Sequence, residues 1–322
     1  MSKSRKIALF VALDLLVVAA IVGMWLWWRS APMAARLLPE SDAMAYVNLQ
    51  PMRLVSAFAQ LPKPTDDPAY QAFIQATGFQ FERDLDEVAI AVHMPAPPAP
   101  GGRMPDPRFS EIFVGRFDRA RANDYFRKIA TSTEQYGGHE IFEVPVEERK
   151  VRIALLSSNT VAVSNAEDPQ AIHGMVERYG ERWLPLRGPT LVREHYRDVP
   201  AGSLVWLIAS QKNGMSFANA GIGLPPAFAG AVLVGSLRVL GDIRVQAEWI
   251  ANNEADATQI KEQLGTMLGL FRDAQASAGT KGPDADVKQV FDSIAVTQEG
   301  SRARVTASIP FAFVTKLLTA AK

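Results

Sequence analysis

The feature that most restricts the fold of this chain is a long apolar run near its start, at residues 7–28. The run begins with Ile7 and ends with Trp28, and only Asp14 and Gly23 interrupt it. A helix of this length measures about 33 Å, which is enough to cross the hydrocarbon core of a bilayer. The run therefore predicts one transmembrane helix at residues 7–28, through which the chain contacts a membrane.

The charges beside the run predict its orientation. Lys3, Arg5 and Lys6 precede it, and positive residues favour the cytoplasmic side of a membrane. Residues 1–6 are therefore expected to form a cytoplasmic stub, with the rest of the chain exported. A cleaved signal peptide is the alternative, but its apolar core would span about 7–15 residues and would be followed by small residues. The run here is longer and ends in bulky tryptophan, which favours an uncleaved signal anchor.

Composition excludes several classes of function. The chain has 34 basic and 34 acidic side chains and a pI near 6.9. It therefore lacks the net positive charge that is typical of proteins that bind nucleic acid, and no nucleic-acid partner is expected. There is no cysteine, which excludes disulfides, thiolate metal sites and cysteine nucleophiles. None of the four histidines lies three or four residues from another, a spacing that helical metal sites use. The sequence predicts no metal and no cofactor.

The exported part is predicted to contain two similar halves. Residues 29–39 are expected to be a linker, the first half covers residues 40–198 and the second covers residues 199–322. Strand and helix patterns recur in the same order in both, at nearly constant spacing. Asp118 and Asn253 are predicted to cap corresponding helices of the two halves, and the first of these helices is predicted to continue to Gly137. Gly241 is predicted to turn a hairpin, and such hairpins favour antiparallel strands over a parallel sheet. The predicted fold is α+β, an N-terminal transmembrane helix followed by two similar antiparallel-sheet-plus-helix halves. A chain that begins near Leu37 is expected to fold without lipid.

A family resemblance rests on five segments of the chain. They read LLPESDAMAYVNL, GRFDRARANDYF, YGGHEIFEV, RIALLSSNTVAVSN and DPQAIHGMVERY, in that order. This layout resembles bacterial single-pass membrane-anchored envelope proteins of unknown function, over about residues 37–320. The resemblance implies a location in the bacterial inner membrane, with the C-terminal region in the periplasm. It implies no catalytic residues.

Motifs of common enzymes are missing from the exported sequence. His139 and Glu140 do not form the HExxH pattern of zinc peptidases, and there is no Walker loop. The nearest approach to the GxSxG nucleophile turn is GMSFA at residues 214–218, where alanine replaces the last glycine. Carboxylate pairs such as Asp84 and Asp86 are present, but nothing singles out one pair for glycosidase chemistry. The sequence therefore predicts a protein that is not an enzyme.

A cluster of basic residues surrounds the start of one predicted helix. Its members are Arg116, Arg119, Arg121, Arg127 and Lys128. Such a patch suits anionic lipid headgroups or an acidic partner. The alternative, which we favour, is an ordinary solvated helix face.

The most unusual exported stretch is residues 213–237, which carry no charge. Pro225, Pro226 and several glycines argue against a second transmembrane helix there. Residues 215–229 are expected to cover the sheet or, as the alternative, to contact a partner or the membrane. In that alternative the contact surface consists of Phe217, Ile222, Leu224 and Phe228.

These observations favour a non-catalytic membrane-anchored periplasmic protein with a binding or scaffolding role in the cell envelope, which implies a protein partner there. The first alternative is an accessory subunit of a larger membrane protein complex. The second is an envelope hydrolase.

Overall fold

The computed structural model describes residues 30–53, 67–95, 105–184, 187–211, 228–277 and 285–320. The predicted membrane helix at residues 7–28 lies outside these ranges, as do Phe217, Ile222 and Leu224. Within the described ranges, no helix combines the length and apolarity that a membrane crossing needs.

A single antiparallel sheet dominates the described structure, which confirms the predicted α+β class. Its twelve strands are, in chain order, β1 (Ala43–Asn48), β2 (Leu85–His93), β3 (Arg108–Gly115), β4 (Ser132–Tyr136), β5 (His139–Val146), β6 (Arg149–Leu155), β7 (Thr160–Ser164), β8 (Val205–Ser210), β9 (Val232–Leu240), β10 (Asp242–Ile250), β11 (Ala295–Glu299) and β12 (Arg302–Ile309). Across the sheet they follow the order β11-β12-β10-β9-β8-β1-β2-β3-β7-β6-β5-β4.

The two predicted halves share this sheet. Strands β1 and β8, the opening strands of the two ranges, pair antiparallel with Met44 opposite Ile208 and Tyr46 opposite Trp206. Strands of residues 40–198 continue the sheet on the β1 side, and strands of residues 199–322 continue it on the β8 side. The β1–β8 pair therefore joins the two ranges through backbone hydrogen bonds.

Helices cover parts of both faces of the sheet. They are α1 (Met33–Leu37), α2 (Leu49–Met52), α3 (Pro68–Thr77), α4 (Phe81–Asp84), α5 (Arg119–Ile129), α6 (Gln170–Gly180), α7 (Thr190–His195), α8 (Glu254–Ser277), α9 (Ala285–Ser293) and α10 (Phe311–Ala320), with a 3-10 turn at Tyr196–Asp198. We call the sheet side that carries Met44 and Trp206 face A, and the opposite side face B. On face A, side chains of α1, α6 and α7 share one core cluster with Met44 and Trp206. On face B, α5 packs at one end of the sheet and α8 packs at the other.

The segment predicted as a linker is part of the core. Helix α1 lies within residues 29–39, and its Ala34 and Ala35 are fully buried together with Leu38. Ala31, which precedes the helix, is also buried, with only 6% of its surface exposed. The sequence did not reveal this packing because a five-residue helix is too short for its apolar period to stand out.

Several local predictions are confirmed by the structure. Asp118 begins α5 by accepting a hydrogen bond from the Arg121 amide at 3.1 Å, and Asn253 accepts one from the Asp256 amide at 2.9 Å. Gly241, with φ of +83°, lies in the β9–β10 hairpin. Strand β4 is different, because the sequence predicted helix up to Gly137. It is an exposed edge strand without apolar alternation, so its pairing with β5 leaves no signal in the pattern.

Candidate functional site

A cavity of about 140 Å³ lies on face B, between α3, α4 and α5 and the strands beneath them. Its wall is almost entirely aromatic and aliphatic. Three strand residues, Ile153, Val161 and Val163, contribute to it, as does Ala122 of α5. Six phenylalanines supply most of the remaining surface: Phe73, Phe79, Phe81, Phe113, Phe117 and Phe126. This composition suits an apolar ligand or an apolar part of one.

The local sequence explains how α3 brings Phe73 to the cavity. The Asp67 side chain accepts a hydrogen bond from the Ala69 amide, and Pro68 occupies the first turn, two features that favour a helix start. Gly78 ends the helix in the left-handed region, with φ of +74°. A Cβ at this position would lie 2.7 Å from Arg121 Nη1. Glycine therefore permits the left-handed turn and leaves room for the Arg121 guanidinium beside it.

The aromatic rings around the cavity are in mutual contact. Phe79, which is 4% exposed, stacks on Phe117 with ring centroids 4.4 Å apart. Phe73 stacks on Phe81 at 5.9 Å and meets Tyr125 of α5 edge to face at 5.5 Å. Such pairs fix ring orientation beyond what burial alone requires. The wall of the cavity is therefore built from side chains that hold one another in place.

Polar groups lie at the α3–α4 side of the cavity. The Tyr70 hydroxyl donates to Glu82 Oε2 at 2.7 Å and accepts from the Phe81 amide at 3.0 Å. Burial and the hydrogen bond to Glu82 raise the pKa of Tyr70 above its usual value. The hydrogen bond from the Arg83 guanidinium lowers the pKa of Asp84, and the charges of Arg83 and Arg116 act in the same direction. Asp84 is therefore ionised at neutral pH.

The structure places the predicted basic cluster beside this cavity, where three of its members bind protein groups. Arg121 donates to the carbonyls of Gln75 and Ala76, at the end of α3. Arg116 donates to the Arg83 carbonyl at 2.7 Å, and Arg127 pairs with Glu140 at 2.6 Å. The other two members, Arg119 and Lys128, are exposed. Arg116, which follows β3, is therefore bonded to α4, and Arg121 of α5 is bonded to α3.

The structure places Phe228, predicted as a possible contact residue, in the core. Its side chain is 1% exposed and meets Trp249 edge to face with ring centroids 5.6 Å apart. It shares a cluster with Ala257 and Ile260 of α8. A buried position for Phe228 is what the favoured expectation, that residues 215–229 cover the sheet, requires of this residue, and it differs from the contact alternative. Phe217, Ile222 and Leu224, the other predicted contact residues, lie outside the described residues.

A second, more polar cavity of about 830 Å³ opens at the end of strands β2 and β3. Charged residues surround it, among them Glu40, Asp106, Arg108 and Arg178. Several of these charges are already paired, since Arg108 meets Glu167 at 2.7 Å and Arg149 meets Asp106 at 2.5 Å. His93 also lies on its wall.

His93 belongs to a serine–histidine array that the sequence did not reveal. Its Nε2 lies 2.9 Å from Ser110 Oγ, which lies 2.9 Å from Ser164 Oγ. Burial lowers the pKa of His93, against the opposing charge of Asp42. The array arises from strand register, because Ser110 is opposite Ala91 of β2 and Ser164 of β7. No spacing along the chain could have indicated it.

This array is poorly placed for serine hydrolysis. Ser110 is 0% exposed and Ser164 is 2% exposed, whereas a nucleophile must reach its substrate. Ser164 accepts a hydrogen bond from the Ala166 amide at 3.2 Å. The array therefore satisfies buried polar groups between strands. Among the described residues, no group of three or more candidate ligands could hold a metal ion.

No protein-family model matches the chain, and no curated protein matches it. The chain is similar to solved structures of TP0453. TP0453 in crystal form III is 12% identical to this chain, with a TM-score of 0.48, and the match covers 90% of this chain and 99% of TP0453. Crystal form I is 13% identical with a TM-score of 0.47, over 91% of this chain and 99% of that one. Values this low carry no conclusion about family or function.

Proposed function

We propose that this chain is a membrane-anchored, non-catalytic binding protein of the bacterial cell envelope. Residues 7–28 cross the inner membrane once, the N-terminus is cytoplasmic and the remainder is periplasmic. The apolar run and its flanking charges support the anchor. The observation that carries the binding role is the aromatic cavity beneath α3, α4 and α5.

The size of the cavity limits what it binds. Its volume of about 140 Å³ is close to the roughly 150 Å³ of an engineered apolar cavity that binds benzene. The ligand therefore inserts an apolar group the size of one aromatic ring or a short acyl segment. Larger parts of the ligand remain outside, where Tyr70, Glu82, Arg83 and Arg116 offer polar contacts.

The test fills the cavity from one side. Ala122 lines the cavity and is 5% exposed, so Ala122→Phe places a ring in the space. Ala120→Phe is the matched control, because Ala120 is exposed on the same helix. Fluorobenzene is added to the full-length protein in lipid nanodiscs and its ¹⁹F resonance is measured. Saturable binding should be present in the native chain and in Ala120→Phe, and lost in Ala122→Phe. Equal spectra for all three proteins, after subtraction of empty nanodiscs, would contradict the binding role.

The proposed topology has its own test. Protease added to spheroplasts should digest the region after residue 28, because that region is periplasmic. Its complete protection in spheroplasts with intact cytoplasm would place it on the other side of the membrane.

A second candidate function, an accessory subunit of a larger membrane complex, is favoured by one feature of α8. Met267, Leu270 and Phe271 are 38%, 65% and 60% exposed, and their spacing puts them on one helix face. A subunit contact would bury them. Leu270→Asp should then reduce the amount of a stoichiometric partner that co-purifies in mild detergent. Leu240→Asp, at another exposed leucine, should leave it unchanged.

We also infer that the exported part arose from two similar halves, as the sequence predicted. The order of strands supports this inference. Outward from the β1–β8 pair, one side continues with β2, β3 and then β7, and the other continues with β9, β10 and then β12. On each side, the last strand of the range therefore lies next to the third strand of that range: β7 beside β3, and β12 beside β10. Strands β4 and β5 lengthen only the first side.

A further inference from the structure

We propose that the turn at residues 181–184 is a second membrane contact, with Trp183 inserted into the interface of the bilayer that holds residues 7–28. This inference rests on the proposed membrane anchor. It adds that the exported fold lies directly on the membrane in one orientation.

The first step is the short distance between the membrane helix and the folded core. Trp28 ends the apolar run. Three residues later, Ala31 belongs to the buried core cluster, with only 6% of its surface exposed. Three residue steps span at most about 10 Å. Because α1 follows at once and buries Ala34 and Ala35, the folded core begins within about 10 Å of the end of the apolar run.

The second step is the attachment of the turn to α1. Arg36 Nη1, near the end of α1, donates a hydrogen bond to the Leu184 carbonyl at 2.7 Å. On the far side of the turn, a Cβ added to Gly188 would lie 3.3 Å from Arg36 Cα. These contacts fix the turn to the helix that directly follows the membrane segment. Because α1 rises only about 7 Å over its five residues, the turn stays close to the membrane surface.

The third step is the chemistry of the turn itself. Trp183 is 74% exposed, the most exposed of the large hydrophobic side chains that the structure describes. The Arg182 guanidinium lies over the Tyr179 ring at 4.3 Å from its centroid, and also donates to the Tyr179 carbonyl at 2.9 Å. Tryptophan and tyrosine concentrate at membrane interfaces, and arginine beside them attracts anionic headgroups. The occupant of this surface is therefore the lipid headgroup region.

The test uses the fact that the chain contains no cysteine. Single cysteines are introduced into the full-length protein, labelled with the fluorophore NBD and reconstituted in phosphatidylcholine–phosphatidylglycerol nanodiscs with nitroxide-labelled lipid. Glu181→Cys reports on the turn and keeps Trp183, since Glu181 is exposed. Leu240→Cys is the control for a distant surface and is 55% exposed. Val18→Cys reports on the anchor.

The expected result is strong quenching at positions 18 and 181 and none at 240. Adding Trp183→Ala to Glu181→Cys should reduce the quenching at 181, because the tryptophan holds the turn in the interface. Quenching at 18 with position 181 as bright as position 240 would overturn the inference and leave the anchor intact. Quenching at 181 that is indifferent to Trp183→Ala would overturn the role of Trp183. No quenching at 18 would refute the membrane anchor itself.

Discussion

Tyr46 and Trp206 stack with their ring centroids 5.5 Å apart and an angle of 21° between the rings. They are register partners of β1 and β8, so their contact lies where the two predicted halves meet. Trp206 is 1% exposed, and Tyr196 meets its ring edge to face with the centroids 5.6 Å apart. The two ranges of the chain that share the sheet are therefore joined by side-chain packing as well as by backbone hydrogen bonds.

Trp206→Ala should destabilise the fold by about 3–5 kcal/mol, because it removes a fully buried ring and leaves a cavity. Trp183→Ala is the matched control and should change stability by less than about 0.5 kcal/mol, since Trp183 is exposed. Denaturant unfolding followed by circular dichroism measures both. If Trp206→Ala cost no more than the control, the ring at the junction would not stabilise the sheet.

Phe228→Ser should also destabilise the protein by about 3–5 kcal/mol, because the ring packs against Trp249 and α8. The melting temperature should therefore fall clearly. A variant with an unchanged melting temperature but weaker association with partners or membrane would restore Phe228 as a contact residue.

His93→Gln should reduce the dependence of stability on pH. Burial lowers the pKa of His93 in the folded state, so the unfolded chain takes up a proton first as the pH falls below about 6.5. The stability that neutral His93 contributes is complete above that pH and is lost as the pH falls toward the lowered folded-state pKa. The loss of stability between pH 7.5 and 5.5 should be smaller in His93→Gln. His139→Gln keeps His93 and should behave as the native chain does.

Glu111→Gln should stabilise the protein at pH 8. Burial raises the pKa of Glu111, and its register partners on face B are Ile90 and Val163. The charged form is therefore disfavoured in the folded state, and native stability increases as the pH falls from above the folded-state pKa toward the usual value near 4.3. The advantage of Glu111→Gln should shrink over the same range. Glu262→Gln, on an exposed part of α8, should show no such trend in thermal melts. An equal gain in both variants would contradict the burial effect.

A chain that begins at Ser30 should fold, whereas one that begins at Pro39 should not. The shorter chain lacks α1 and with it the buried Leu37 and Leu38, each of which is worth about 2–5 kcal/mol when truncated. Apolar content alone predicted that a chain starting near Leu37 would fold, but that start removes Ala34 and Ala35 from the core. Circular dichroism and size-exclusion chromatography of both chains check this outcome, and a folded Pro39 chain would refute it.

The sequence by itself determined the local structure. Asp118 and Asn253 begin their helices, and Gly78 and Gly241 form their turns, through bonds and backbone angles that involve only neighbours in the chain. Periodic apolar spacing likewise predicted most strands and α5, α6 and α8, because those residues must reach one face. The short helix α1 and the polar edge strand β4 escaped this reasoning, since neither carries a periodic signal.

Only the tertiary structure decided which distant residues meet. Pairing of β1 with β8 placed Tyr46 on Trp206, and the register of β2, β3 and β7 brought His93 to Ser110 and Ser164. The aromatic cavity likewise exists only because α3 and α5 pack over the same strands. These contacts depend on strand order and on burial summed over the whole sheet. A short segment of sequence does not specify these contacts, because each segment could form a strand beside many other strands.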